Sequence, residues 1–119
     1  MHILIDDERG ISEVMKMVSS VKFCDHFEFD KIIRTFEDAN DNIINITADD
    51  VLYIDHDLGT DEPGKDGYGF IKSLRDNGKF PRTIIIVSAN PIGLSNIENV
   101  IIHDMKMVKI ADRVYSRSL

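Results

Sequence analysis

Hydrophobic positions along the chain follow two different periods, and the alternation of these periods predicts strands that alternate with helices. Short aliphatic runs at residues 2–5, 51–54 and 83–87 predict buried strands. Apolar residues that recur every three or four positions predict one helix over residues 11–21 and another beginning near Tyr68. Because parallel neighbours need a crossover connection, this order predicts a doubly wound, parallel α/β sheet.

Weaker patterns complete the predicted fold. Residues 27–34 predict a short strand, and Thr35 begins a helix as its N-cap. Residues 93–103 have helical spacing, with Ser95 as the expected cap, and residues 107–115 predict a last strand. We therefore expect a five-stranded sheet whose last helix is short or missing, because few residues follow the last strand.

Length and composition predict one cytoplasmic domain over residues 1–119. The longest aliphatic run, residues 84–87, is far shorter than the roughly 20 apolar residues that span a bilayer, so we expect no membrane segment. The single cysteine, Cys24, cannot form an internal disulfide, which favours a reducing compartment. The net charge of −7 disfavours binding to duplex DNA.

The acidic residues are concentrated in the first half of the chain. Residues 1–62 contain sixteen acidic and five basic residues, whereas residues 63–119 contain five acidic and nine basic ones. Either the acidic residues only keep the surface solvated, or some of them converge and need a divalent cation to relieve their repulsion.

Acidic and polar residues follow the predicted strands, at the edge where α/β sheets bind ligands. Asp6 and Asp7 end the first strand, and Asp55 and Asp57 follow the strand at residues 51–54. Carboxylate oxygens are hard ligands, so these four residues predict a site for Mg²⁺ or Mn²⁺ rather than zinc.

Three further residues at this edge have both a chemical and a structural interpretation. His56 could protonate a leaving oxygen at neutral pH, or could only pack beside the strand. Ser88 and Asn90 follow the most hydrophobic strand, where they could bind a phosphate oxygen or form an ordinary turn.

Three motifs give the chain a resemblance to a known family. Residues 5–8, 53–55 and 86–89 resemble the acidic pair, the phosphoacceptor Asp and the hydroxyl of response-regulator receiver domains. More narrowly, the chain resembles the cyclic-phosphate-processing receivers. The motifs that carry this narrower resemblance are Asp6-Asp7-Glu8-Arg9, Asp55-His56-Asp57-Leu58-Gly59, Gly67-Tyr68 and Ser88-Ala89-Asn90-Pro91-Ile92-Gly93.

The resemblance implies metal-dependent processing of cyclic phosphates, such as the 2′,3′-cyclic ends left by RNA cleavage or a cyclic nucleotide. It also implies an association with RNA repair and with phages, and a phosphate-bearing nucleotide or RNA end as partner. Asp55 would attack phosphorus or align a water, and His56 would protonate the leaving ribose oxygen. Lys109 joins Ser88 and Asn90 as a candidate phosphate-binding residue, with Lys106 as the other candidate lysine.

Two departures from the family pattern support an alternative function. Position 87 is Val where we expect His in many members, and the missing last helix predicts an exposed sheet flank. An exposed apolar flank favours a protein partner or a homodimer. The alternative is therefore a noncatalytic module that binds a phosphate ligand or a protein, acting as a regulator or as an inhibitor that a phage could encode.

Overall fold

A six-stranded sheet organises the protein in the computed structural model, which describes residues 1–8, 29–60, 62–88 and 90–117. The strands are β1 (His2–Ile5), β2 (Lys31–Ile33), β3 (Val51–Ile54), β4 (Thr83–Ile86), β5 (Met107–Ala111) and β6 (Val114–Arg117). Their order across the sheet is β2-β1-β3-β4-β6-β5. The first four strands are parallel to one another, whereas β6 is antiparallel to both β4 and β5. The doubly wound α/β fold is confirmed, but the sheet has six strands rather than the five predicted and is not wholly parallel.

Three α-helices cover this sheet in the described part of the chain, namely α1 (Phe36–Asp41), α2 (Gly67–Asp76) and α3 (Pro91–Asn99). The predicted N-cap is confirmed, because the Thr35 side chain accepts a hydrogen bond from the Asp38 amide at 3.1 Å. The predicted helix over residues 11–21 lies outside the described residues. No helix among the described residues is long and apolar enough to cross a bilayer.

The last part of the chain differs from the prediction in three ways. The expected single strand over residues 107–115 is a hairpin, because Arg113 adopts a left-handed conformation with φ of 65° between β5 and β6. Helix α3 begins earlier than expected and is capped by Asn90 rather than Ser95. A π-helical turn over Val100–Asp104 follows it and leads into β5.

Alternate residues of each central strand enter two separate cores on the two faces of the sheet. On one face, residues such as Ile5 and Ile54 pack with Phe70 of α2. On the other face, residues such as Tyr53 and Val87 are buried in a smaller apolar cluster. The exposed apolar side chains of the predicted flank occur at the edge strand, where Val108 and Ile110 of β5 are about half exposed.

Candidate functional site

Three carboxylates converge at the carboxyl ends of β1 and β3. These strands are parallel neighbours, and the Asp55 amide donates to the Ile5 carbonyl oxygen at 2.9 Å, which sets their ends side by side. Asp6, Asp7 and Asp55 each contribute one carboxylate oxygen to a group whose members lie within 4.8 Å of one another. We call this group the acidic cluster, and it contains three of the four predicted metal ligands.

The acidic cluster suits a hard divalent cation. Asp6 and Asp55 are buried, so their charges receive little relief from water, and a cation would relieve the repulsion among the three carboxylates. Carboxylate oxygens are hard ligands, and Mg²⁺ and Mn²⁺ commonly bind to carboxylates together with waters and a substrate phosphate. The backbone around the cluster is fixed as well, because Asp6 Oδ1 accepts a hydrogen bond from the Glu8 amide at 3.0 Å.

The fourth predicted ligand, Asp57, does not join the group of converging carboxylates found among the described residues. Its side chain is 67% exposed, and its Oδ1 atom lies 3.2 Å from Nδ1 of His56. Residues 55–57 follow the end of β3, where the regular alternation of strand side chains no longer applies, and the loop brings Asp57 beside the imidazole. The structure therefore makes Asp57 a partner of His56.

His56 lies between two carboxylates and against a helix. Its Nε2 atom is 3.5 Å from Oδ2 of Asp66, opposite the Asp57 contact, and its side chain is only 16% exposed. The ring packs on the backbone of α3 at Gly93, where a Cβ atom would lie 2.4 Å from the His56 Cγ atom. These contacts orient the imidazole at the same edge of the sheet as the acidic cluster.

Two glycines allow the loop after β3 to approach this edge closely. A Cβ atom at Gly67 would lie 2.0 Å from the Asp55 carbonyl oxygen, and the Gly67 amide donates to the His56 carbonyl oxygen at 2.7 Å. Gly59 adopts a φ of 77°, which favours glycine, and lies beside the Asp7 carboxylate. The loop thus holds both Asp55 and His56 by backbone contacts.

Ser88 and Asn90 organise the turn between β4 and α3. The fully buried Ser88 hydroxyl accepts a hydrogen bond from the Asn90 amide at 3.1 Å. The Asn90 side-chain oxygen accepts from the amides of Ile92 and Gly93 at 3.1 and 3.2 Å. These are the first amides of α3 that could otherwise bind an anion, since Pro91 has none. A phosphate could therefore bind these amides only if the Asn90 side chain moved away from them.

Arg113 contacts the Ser88 backbone, whereas the predicted phosphate-binding lysine, Lys109, contacts Glu98. Lys109 lies on the edge strand β5, where its Nζ atom is 3.4 Å from Glu98 and 6.0 Å from the Tyr115 ring centroid. Arg113, in the β5–β6 turn, instead donates through Nη1 to the Ser88 carbonyl oxygen. Sequence reasoning missed Arg113, because a one-strand interpretation of residues 107–115 placed it within a strand.

Arg34 is a second cation at this edge that the sequence did not single out. It follows β2, the strand beside β1, and its Nη1 atom donates to the Asp6 carbonyl oxygen at 3.3 Å. Arg34 and Arg113 thus supply positive charge at the carboxyl edge from the two strands that flank β1, β3 and β4. Sequence reasoning missed Arg34 because the strand predicted over residues 27–34 contained it, whereas β2 ends at Ile33.

Comparisons with solved structures find response regulators that this chain is similar to. The Salmonella typhimurium response regulator RcsB, whose structure is described in terms of conformational dynamism for DNA interaction, has a TM-score of 0.55 and 20% identity to this chain. The match covers 83% of this chain and 47% of RcsB, so this chain spans about half the length of that protein. The response regulator MaeR bound to beryllium trifluoride has a TM-score of 0.48 and 18% identity, over 93% of this chain and 81% of its own.

The likeness to RcsB establishes the receiver fold alone. No curated protein matched the chain. The family model of the cyclic-phosphate processing receiver domain matches residues 1–103, which include the acidic cluster, His56 and the turn after β4. The chain therefore belongs to the cyclic-phosphate processing receiver domain family.

Proposed function

We propose that the acidic edge of the sheet processes cyclic phosphates with the help of Mg²⁺ or Mn²⁺. The observation that carries this proposal is the convergence of Asp6, Asp7 and Asp55 within 4.8 Å in a chain of the cyclic-phosphate processing receiver family. The substrate class is a 2′,3′-cyclic phosphate at an RNA end, or a cyclic nucleotide. Such ends arise when RNA is cleaved, so the proposal includes a role in RNA repair, including repair encoded by phages.

Opening of the cyclic phosphate needs an attack on phosphorus and a proton for the ribose oxygen that leaves. A divalent cation held by the acidic cluster would neutralise charge on the phosphate oxygens. Asp55 has two possible roles: its carboxylate attacks phosphorus, giving an aspartyl-phosphate that water then hydrolyses, or it accepts the proton of an attacking water. In both cases the bond between phosphorus and one ribose oxygen breaks, and that oxygen takes a proton.

The surroundings of His56 support its role as the proton donor to the ribose oxygen. Asp66 is anchored, because its Oδ1 atom accepts from the Gly69 amide at 2.8 Å and its Oδ2 atom faces His56 Nε2. Asp57 is instead mostly exposed, so a substrate oxygen can replace it at Nδ1. Asp66 would therefore hold the ring at Nε2, while Nδ1 would donate a proton to the substrate oxygen.

One observation supports the alternative, noncatalytic function. Val87 is completely buried in the apolar cluster that contains Tyr53, so this position supplies no acid–base group to the site. In a noncatalytic module, Asp55 would be a phosphoacceptor or the acidic edge would bind a phosphate ligand. A protein partner would then recognise the phosphorylated or phosphate-bound form, and the module would act as a regulator or an inhibitor.

The test is to follow an oligoribonucleotide that ends in 2′,3′-cyclic phosphate by ³¹P NMR, with and without Mg²⁺ or Mn²⁺. We expect metal-dependent loss of the cyclic-phosphate resonance. Asp55→Asn keeps the shape of the side chain but removes its charge, so the rate should fall by at least about a hundredfold. Asp41→Asn, which changes an exposed carboxylate at the end of α1, is the matched control and should react like the wild type.

The two functions predict different outcomes of this experiment. A wild-type rate in Asp55→Asn would refute the assignment of the acidic cluster. No reaction in any metal, together with a new ³¹P resonance after incubation with a small phosphodonor that disappears in Asp55→Asn, would favour the noncatalytic phosphoacceptor.

A further inference from the structure

A groove lies at the amino ends of the strands, on the edge of the sheet opposite the acidic cluster. It consists of two adjoining cavities of about 430 and 150 Å³ that share Phe80 and Arg117. Lys79 lines the larger cavity and Lys106 the smaller one. We call it the basic groove. Because the central strands have four residues, it lies about 13 Å from the acidic edge.

The cations at the basic groove have no carboxylate partner among the residues that the structure describes. Lys79 and Arg117 donate only to carbonyl oxygens, of Ile44 at 3.4 Å and of Ala48 at 3.1 Å. Lys106 is exposed, and Arg82, whose carbonyl oxygen accepts from the Arg117 amide, is exposed as well. Three cations thus line the groove, and Arg82 lies near it, in a chain whose net charge is −7.

The acidic side chains near the groove do not cancel this charge. Asp50 is buried and its Oδ1 atom is 3.0 Å from the amino terminus of Met1, so it is already neutralised. Asp49 is exposed beside Ala48 of the groove wall, and Asp41 is exposed in an adjoining cavity that Lys79 also lines, but neither lines the two cavities of the groove. The groove therefore keeps a net positive charge.

Phe80 gives the basic groove an aromatic surface at the junction of its two cavities. Its side chain is 40% exposed although it is large and apolar, and it follows Lys79 directly. An exposed ring with cations on both sides matches the pattern that binds single strands of nucleic acid, in which bases stack and phosphates meet Lys or Arg.

We propose that the basic groove binds single-stranded nucleic acid, at a site separate from the acidic cluster. A single strand offers a flat base for Phe80 and a phosphate for each neighbouring cation, whereas an acidic peptide would satisfy the cations alone. Duplex nucleic acid hides its bases within the stack, and the net charge of −7 repels its dense phosphates. The proposal does not depend on any reaction at the acidic cluster.

The backbone of Lys106 agrees with a binding role for this residue. It has a φ of 59°, in the left-handed region where glycine or asparagine costs less than lysine. Strained backbone conformations of this kind are common at binding sites, where they hold a side chain in the position that binding requires. The left-handed turn directs the chain from the π-helical turn into β5 with Lys106 at the wall of the smaller cavity.

The test is to measure the anisotropy of a fluorescein-labelled decauridylate with an ordinary 3′-hydroxyl, in EDTA, over a range of salt concentrations. EDTA and the plain 3′ end remove the chemistry of the acidic cluster from the measurement. Phe80→Leu should weaken binding at least about fivefold through lost stacking. Lys106→Gln with Arg117→Gln should reduce the slope of log K against log salt by about 1.4, since each phosphate contact contributes about 0.7.

The controls separate this proposal from the proposed function. Lys72→Gln removes one charge from α2, outside the groove, and should bind like the wild type, as should Asp55→Asn. Absence of wild-type binding at low salt, or equal binding by the groove variants, would overturn the proposal. Stronger competition by a decaglutamate peptide or by a ten-base-pair duplex would also overturn it, in favour of an acidic protein segment or a duplex.

Discussion

The ring of His56 packs so closely on Gly93 that one methyl group at that position would displace it. An added Cβ atom would meet the Cγ, Cδ2 and Cβ atoms of His56 at 2.4 to 2.8 Å. Gly93 therefore positions the imidazole, although it contributes no functional group of its own. At the residue scale, the proposed chemistry depends on this contact as much as on the carboxylates.

Gly93→Ala should reduce the rate of cyclic-phosphate opening because it moves the imidazole away from the acidic edge. Overpacking of this kind costs about 1–3 kcal/mol, so the free energy of unfolding should fall by a similar amount. Turnover, urea unfolding and the ¹H–¹⁵N spectrum of the His56 ring would measure these effects. Ser95→Ala, on the exposed face of the same helix, is the control. An unshifted His56 spectrum in Gly93→Ala would contradict the prediction.

At the scale of elements, Asn90 links the helix α3 to the site. It is the N-cap of that helix and is also the residue to which the sequence assigned phosphate binding. The sequence pattern placed the cap at Ser95, because helical spacing was clear only from Leu94 onward. Pro91 gives the better signal, since proline is favoured in the first turn of a helix and the residue before it is the cap.

Two substitutions of Asn90 separate capping from phosphate binding. Asn90→Ala loses the cap and should lower the free energy of unfolding by about 1 kcal/mol. Asn90→Asp keeps an acceptor oxygen and favours the helix dipole, so it should fold as well as the wild type. Its negative charge should nevertheless raise the KM for a phosphate substrate. An unchanged KM in Asn90→Asp, measured beside urea unfolding, would show that Asn90 acts only as a cap.

The β5–β6 hairpin is the other element that shapes the site. Because β6 returns antiparallel to β4, the turn before it reaches the carboxyl edge, and the Ile86 amide donates to the Arg113 carbonyl oxygen at 2.9 Å. The Arg113 side chain then bonds to the Ser88 carbonyl oxygen. The hairpin thus supports the turn after β4 from the side where a single parallel strand was expected.

At the scale of the whole molecule, Tyr115 joins the hairpin to the main core and to α3. It is completely buried, and its hydroxyl donates to Oε2 of Glu98 at 2.8 Å. Burial, together with the hydrogen bond to Glu98, raises the pKa of the Tyr115 phenol well above its ordinary value near 10. The folded protein therefore retains this proton at pH values where the unfolded chain has lost it.

Stability should consequently fall at alkaline pH. The contribution of the neutral phenol is fully present below pH 10, and it is lost as pH rises from there toward the folded pKa, by at most about 1.4 kcal/mol per pH unit. Urea unfolding from pH 8 to 11.5 would show this slope in the wild type and its loss in Tyr115→Phe. Tyr68→Phe is the control and should keep the wild-type slope. An identical profile in Tyr115→Phe would refute the assignment.

Much of the fold and part of the candidate site could be predicted from the sequence. The strands at residues 51–54 and 83–86 were predicted because continuous aliphatic runs have few alternatives to a buried strand. Asp6, Asp7 and Asp55 were expected together because they follow parallel strands. Asp57 was expected with them and lies beside His56 instead, since the direction of a side chain after a strand depends on the loop that follows.

The receiver fold, the acidic edge and the family could be inferred from the sequence, because hydrophobic period and strand-end residues are local properties of the chain. The residues that support that edge became clear from the packing of the folded protein. The contacts of His56 with Gly93 and of Arg113 with Ser88, and the groove that Phe80 and Arg117 both line, join positions that are far apart in the chain. Such contacts depend on how the strands and helices pack, which local patterns do not specify.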